Sequence, residues 1–227
     1  MNTGKHTLEA MNEAQWYNNW VFSFIKPFLR GEILEVGTGI GNFAKMLAKR
    51  GTVTAIDIDE EYVSGLQKSL KGINVGYGDV EKGKYFFGNR KFDAIVSLNV
   101  VEHIKKDKIA IENMHKLLKK NGNLILLVPA HTTLFSNFDK KLGHFRRYSK
   151  TDVKDLVGAV GFTNVNIRYL NWWGAIGWFV FMKMTGRENM PRPPVKIFDV
   201  LARALLLPEK IITMPFGLSI VAIAQKK

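Results

Sequence analysis

The stretch EILEVGTGIGNF, residues 32–43, decides the fold of this 227-residue chain. A short apolar run, Ile33 to Val36, stops at Gly37, Gly39 and Gly41. A buried strand ends this way when it opens into a tight turn. Glycine accepts the turn's backbone and lets N–H groups approach a ligand closely. The spacing is G-x-G-x-G, because Asn42 stands where a dinucleotide fingerprint has its third glycine. Glu35 lies just ahead of the loop. A carboxylate there repels a pyrophosphate and suits a cationic or amino-bearing ligand.

Outward from this loop the chain alternates strand and helix. Asn42 to Arg50 reads as a helix closed by Gly51, and Thr52 to Ile58 as a second, β-branched strand. Glu60 to Leu70 is a helix, Ile73 to Tyr77 a weaker strand, and Phe92 to Leu98 a fourth. Lys105 to Lys119 is a helix, and Leu124 to Val128 is the most apolar strand, stopped by Pro129. Upstream, Trp16, Trp20, Phe24 and Phe28 repeat every four residues, one face of an amphipathic helix within residues 1–30. Downstream, Ser149 caps a helix with Asp152 three residues on, and Asn164 to Leu170 and Leu218 to Ala224 are strands. Between them lies an insertion, residues 171–217, with a Trp-rich helix, a turn at Pro191 to Pro194 and a second helix near Lys196 to Leu207. Apolar strands alternating with helices argue for an α/β fold with a parallel sheet covered on both faces. Ligands of such sheets bind at the carboxyl ends of the strands.

Composition narrows the chemistry. The chain has no cysteine, which excludes disulfides, thiolate metal sites and cysteine nucleophiles. No metal site is expected. The net charge is +13 with 46% hydrophobic residues, fitting a single domain over 1–227 with a full core. The charge means solubility or an anionic partner. Nucleic acid is not expected, because the lysines are scattered rather than gathered in a stripe with aromatics. The start, MNTGKHTLEA, lacks the apolar core of a signal peptide. The longest apolar run, Leu170 to Met182, is broken by Asn171 and falls short of the roughly 20 residues of a membrane span. A cytoplasmic location is expected, with membrane association left open.

The strand ends supply Glu35, Asp57, Asp79 and Asn99 around one crevice. Asp57 is placed to hydrogen-bond ribose hydroxyls. Asp79 can accept from an adenine amino group or serve as a turn residue after Gly78.

Taken together, EVGTGIG (35–41), AIDID (55–59), GDV (78–80), DAIVSLNVVEHI (93–104) and KLLKKNGNLILLVPA (116–130) resemble the class I S-adenosylmethionine-dependent methyltransferase superfamily. The resemblance covers about residues 30 to 170. It implies a Rossmann-like, doubly wound, mostly parallel seven-stranded sheet with an antiparallel last strand, and a helical insertion before that strand. It implies S-adenosylmethionine as cofactor and S-adenosylhomocysteine as product. Gly37, Thr38, Gly39 and Gly41 would wrap the methionine part, and Glu35 would orient the loop and the ammonium. Asp57 would hold the ribose, Ile58 would pack on the adenine, Asp79 and Val80 would read its edge, and Asn99 would close the site. YNNW (17–20), GHFRRYS (143–149) and PFGLSIVAIA (215–224) resemble a narrower group of uncharacterised bacterial and archaeal methyltransferases, some joined to glycosyltransferase domains.

Methyl transfer from a sulfonium is an in-line displacement, so the protein chiefly aligns nucleophile and methyl. A hydroxyl or amine acceptor also calls for a base, and the candidates are His103, His131 and His144. For each, the alternative is a packed or solvated histidine. Tyr17, His144, Arg146, Arg147 and Tyr148 are the acceptor-binding candidates, since arginine forks suit carboxylate or phosphate. The alternative is a loop pinned by its arginines to acids such as Asp139 or Asp152. Trp172, Trp173 and Trp178 in the insertion make a lid, a membrane-lying helix, or a helix packed on the core or a partner subunit. Arg187, Arg192, Lys196, Arg203 and Lys210 would suit anionic lipid. The expected activity is methyl transfer to O or N of a small or lipid- or glycan-linked acceptor. Two alternatives remain: a non-catalytic cofactor-binding partner of a glycosyltransferase, and an NAD-dependent oxidoreductase, which Asn42 disfavours.

Overall fold

The computed structural model describes residues 12–180, 184 and 195–227. Arg187, Arg192 and the turn at Pro191 to Pro194 lie outside the described residues, as does the side chain of Lys196.

The strands are β1 (Glu32–Val36), β2 (Thr52–Asp57), β3 (Asn74–Asp79), β4 (Lys84–Tyr85), β5 (Phe92–Leu98), β6 (Leu118–Pro129), β7 (Phe162–Leu170) and β8 (Ser219–Lys226). They form a sheet of order β4-β3-β2-β1-β5-β6-β8-β7. β3, β2, β1, β5 and β6 are parallel, while β8 runs antiparallel to both β6 and β7. The last strand is antiparallel, as expected. The sheet has an eighth strand because β4 pairs antiparallel with β3. Gly83, at φ +68°, lies in the reversal that brings β4 back onto β3.

Alternate residues of the central strands face opposite cores. Ile33, Val53, Ala55, Val96, Ile125, Leu127 and Val221 point to one. Leu34, Val36, Ile56, Ile95, Leu124, Leu126 and Ile220 point to the other. The period of two and burial on both faces explain why these strands read as continuous apolar runs. Helix α1 (Gln15–Ile25) lies on the first face, and Trp20 Nε1 donates to the Leu206 carbonyl at 3.1 Å. That bond ties α1 to the end of the insertion helix Val195–Leu206.

Two boundaries differ from the sequence reading for physical reasons. The helix expected from Asn42 to Arg50 shrinks to α2 (Ala44–Leu47). Gly39 and Gly41, at φ +53° and +82°, hold the preceding residues in turns. Lys119 and Lys120, expected at a helix end, already belong to β6, and Lys119 pairs with Asp93 at 2.8 Å. Helix α3 (Glu60–Ser69) is capped by Asp59, whose side chain accepts from the Glu61 N–H. Helix α4 (Asp107–Leu117) follows β5. The segment after Pro129, which shows no clear pattern in sequence, contains α5 (Asn137–Leu142), started by a capping box of Ser136 and Asp139. Helix α6 (Lys150–Gly158) starts at the Ser149–Asp152 capping box, as expected.

Candidate functional site

The crevice lies where β1 and β5 sit side by side while their crossovers leave in opposite directions along the sheet. Gly37 and Thr38 both donate backbone N–H groups to the Ile56 carbonyl, at 2.8 and 3.1 Å. Gly37 has φ +72°, and a Cβ there would come within 2.4 Å of Val100. No other residue fits that position without moving the β5 loop.

Two carboxylates hold the loop from beneath. Glu35 is buried and accepts from Thr38 Oγ1 at 2.8 Å. Burial pushes its pKa up to about 7, opposed by the Thr38 bond. Asp57, at the end of β2, accepts the Gly39 N–H through Oδ2 at 2.8 Å and the Asp59 N–H through Oδ1 at 3.0 Å. Burial raises its pKa too, while those two backbone bonds lower it. Next to it Ile58 is 67% exposed, a large apolar side chain left bare at the rim of a polar crevice. Asn99 follows β5 with φ +54°, and its N–H bonds the Leu127 carbonyl at 2.8 Å. Glu35, Thr38, Gly39, Asp57, Ile58 and Asn99 thus gather at neighbouring strand ends.

Asp79 shows the turn alternative in action. Its Oδ1 accepts from the Glu81 and Lys82 N–H groups at 2.9 Å, and its Oδ2 pairs with Lys82 Nζ at 3.1 Å. Although its pKa is lowered, burial is the largest single influence and acts the other way; the Lys82 and Glu81 contacts together outweigh it. Val80 is buried in the second core, and its carbonyl accepts from Asn113.

The His–Arg–Arg–Tyr cluster is held by acids, as in the alternative of a pinned loop, with Arg147 and Tyr148 buried and His144 and Arg146 partly exposed. Arg147 is 3% exposed and pairs with Asp139, itself fully buried, at 2.9 Å. Its guanidinium also lies 4.3 Å over the Trp178 ring. Tyr148 is 3% exposed and donates to Asp107 at 2.9 Å. Arg146 pairs with Asp107 and donates to the Lys105 carbonyl at 2.8 Å, keeping a partly exposed side chain. The acids that pin the cluster are Asp139 and Asp107, while Asp152 serves its own helix cap. Tyr17, an acceptor-binding candidate, is buried against Trp20, with its hydroxyl 3.5 Å from the Asn171 amide nitrogen.

The three histidines separate. His131, two residues beyond β6, has φ +61° and stacks on Tyr169, and its buried Nε2 has no hydrogen-bond partner among the described residues. Burial lowers its pKa, and Arg147 adds to the effect. His103 and His144 meet edge to face with centroids 4.6 Å apart. Desolvation and then His144 lower the pKa of His103, but the residue is exposed at the surface, which weakens both effects. His144 Nδ1 lies 3.0 Å from Asp139. Beside them Glu102, 1% exposed, finds no hydrogen-bond partner for either oxygen in another of the described residues, and burial pushes its pKa up to about 8. Glu102 escapes sequence reading because an acid inside an apolar run looks like a helix residue.

The insertion folds back beside this segment. Helix α7 (Trp172–Trp178) has its first N–H groups capped by Glu209, which accepts from Asn171 and Trp172 at 2.9 Å. Trp178 Nε1 donates to the Leu134 carbonyl at 3.2 Å. Helix α8 is Val195–Leu206, and beyond it Leu207, Ile211 and Ile212 are exposed. No helix among the described residues is long and apolar enough to cross a membrane.

Residues 9–167 match a family described as a methyltransferase domain. A ubiquinone biosynthesis O-methyltransferase of Pseudomonas paraeruginosa is 27% identical over 171 residues, 62% of this chain and 72% of that protein. An uncharacterized methyltransferase of Staphylococcus carnosus is 29% identical over 132 residues, 56% of this chain and 58% of that one. Among solved structures, a Haemonchus contortus phosphoethanolamine N-methyltransferase 2 bound to S-adenosyl-L-methionine superposes with a TM-score of 0.62 at 16% identity. That match covers 92% of this chain, which spans about half (52%) of the nematode enzyme. A putative methyltransferase of Haloferax volcanii, solved with its Trm112 activator, gives a TM-score of 0.66 at 12% identity, covering 96% and 92%.

Proposed function

The chain belongs to the methyltransferase domain family, and from that premise we propose that its crevice binds S-adenosylmethionine and passes the methyl group to a hydroxyl or amine of a small or lipid-linked acceptor. The observation that carries this reading is the Asp57–Gly39 bond at the β2 end, with bare Ile58 beside it. A ribose needs a carboxylate at that point, and an adenine face needs an apolar neighbour. In this reading the Gly37–Gly41 loop surrounds the methionine part. Glu35, ionised by a nearby ammonium and sulfonium, steadies the loop through Thr38. Asp79 has only Oδ2 to offer the adenine amino group, in exchange for exposed Lys82.

The cofactor supplies an activated methyl, and the protein contributes alignment and proton removal. His131 suits the base best of the three histidines, because Nε2 is unpartnered and burial keeps the ring neutral. The acceptor side is bounded by the segment after β6 and by α7, whose Trp178 closes over Arg147. The exposed apolar side chains around Leu207 and Ile211, with Arg203 and Lys210 on the same segment, favour an acceptor delivered from a lipid surface. The named relatives' O- and N-methyl transfers are consistent with either acceptor atom. We take residues 1–227 as one unit, since α1 and α8 are tied by Trp20. Calorimetry with S-adenosylhomocysteine tests cofactor binding, and transfer of labelled methyl to a panel of phenolic, amino and isoprenoid acceptors tests the rest. Saturable binding of NAD in preference to S-adenosylmethionine overturns the reading.

A further inference from the structure

We propose that Glu102, His103 and His144 form a binding site for a first-row divalent cation of the zinc type, at the acceptor end of the crevice. The ligand atoms that these residues offer all lie within 4.8 Å of one another. A four-coordinate ion with bonds of about 2.0–2.2 Å fits such a group with modest closure.

The second observation is Glu102 itself. It is 1% exposed, and neither carboxylate oxygen has a hydrogen-bond partner in another of the described residues. Buried polar groups are almost always satisfied, so two orphaned oxygens on one side chain call for a missing ligand. A cation supplies both the bonds and the counter-charge. Arg147 is close enough to influence Glu102, but its bonds go to Asp139 and the Ala130 carbonyl.

The surroundings of the two imidazoles have the form of an outer shell around a metal. His144 Nδ1 is held by the Asp139 carboxylate, which leaves the other ring nitrogen free to ligate. The Gly143 backbone stands beside the His103 ring and acts to raise its pKa. Carboxylate partners such as Asp139 fix ring orientation in metal sites. Two imidazoles and one carboxylate suit zinc and its first-row neighbours better than magnesium or calcium. His103 is exposed, so solvent reaches the ion and leaves a position for an oxygen of water or acceptor. The ion would also join the turn after β5, Val101–His103, to the residues after α5, which are already linked by the Phe145 N–H to the Glu102 carbonyl. Sequence reading expects no metal site; the chain separation of His144 from Glu102 hides this grouping, which only the fold brings together.

The site's place beside the acceptor rests on the methyl-transfer reading; the ion binding does not. The full chain, stripped with chelator, is titrated with Co2+ alone and then competed with Zn2+. Expected are visible ligand-field bands saturating at one equivalent and displaced by zinc. Glu102→Gln and His144→Ala each weaken binding by roughly tenfold or more. Absence of bands at one equivalent in the wild-type chain overturns the site, whatever the variants do. Bands that survive both substitutions in folded protein, judged by circular dichroism, overturn it too. S-adenosylhomocysteine binding, measured on the same preparation, reports separately on the cofactor crevice.

Discussion

Asp57 Oδ2 accepts the backbone N–H of Gly39 at 2.8 Å, so the carboxylate that ends β2 also holds the glycine loop that follows β1. One side chain therefore shapes the loop and, in the proposed reading, also holds the ribose of the cofactor. Asp57→Ala removes both functions and is expected to weaken S-adenosylhomocysteine binding by at least about tenfold, a loss of roughly 1.4 kcal/mol. Asp57→Asn keeps an acceptor for Gly39 and should lose less. Calorimetry on the two variants makes the comparison, and equal losses would show that the loop anchor is immaterial.

Arg147 is predicted to be a stability residue. Truncating one partner of a buried ion pair strands the other charge, at about 3–5 kcal/mol. Arg147→Ala should therefore lower the unfolding midpoint strongly, because Asp139 is fully buried. Arg146→Ala, at a partly exposed pair with Asp107, should cost about 1 kcal/mol or less. Urea denaturation of each single variant distinguishes them. A mild effect at Arg147 would mean that the pair relaxes toward solvent.

Stability of the ligand-free protein should depend on pH through Glu35. Its folded pKa is raised from the ordinary 4.5 to about 7, so the fold favours the neutral acid. The contribution is full below about pH 4.5 and is lost as pH rises toward 7, a change of about 3 kcal/mol. The stability difference between wild type and Glu35→Gln, followed over that window, isolates this group from Glu102, which acts in the same direction. A pH-independent difference would contradict the assignment.

The apolar rim around α8 gives a membrane prediction. Ile211 is 91% exposed and Ile212 57%, with Leu207 and Leu201 also bare. Co-sedimentation with vesicles containing anionic lipid should be detectable at low salt and weaken as salt rises. Ile211→Asp with Leu207→Asp should abolish it while the fold persists. No sedimentation even at low salt would leave the insertion as a lid or packing element.

Much of the crevice was readable from local chemistry. Strand periods, the glycine turn, the Ser149–Asp152 cap and the acids at the strand ends all depend on neighbours within a few residues, and sequence order alone exposes them. The α/β class followed from the same signals, and the antiparallel last strand from the family resemblance. The use of the polar cluster did not. Whether Arg147 meets an acceptor or Asp139, and whether His144 faces solvent or His103, depends on how the segment after β6 folds against the turn after β5. Charges choose partners across space, and burial decides how strongly, so Glu102 became notable only when the packed structure showed its carboxylate enclosed and without a partner. Local patterning determined where a ligand could bind; tertiary packing determined which charged groups are left to meet one.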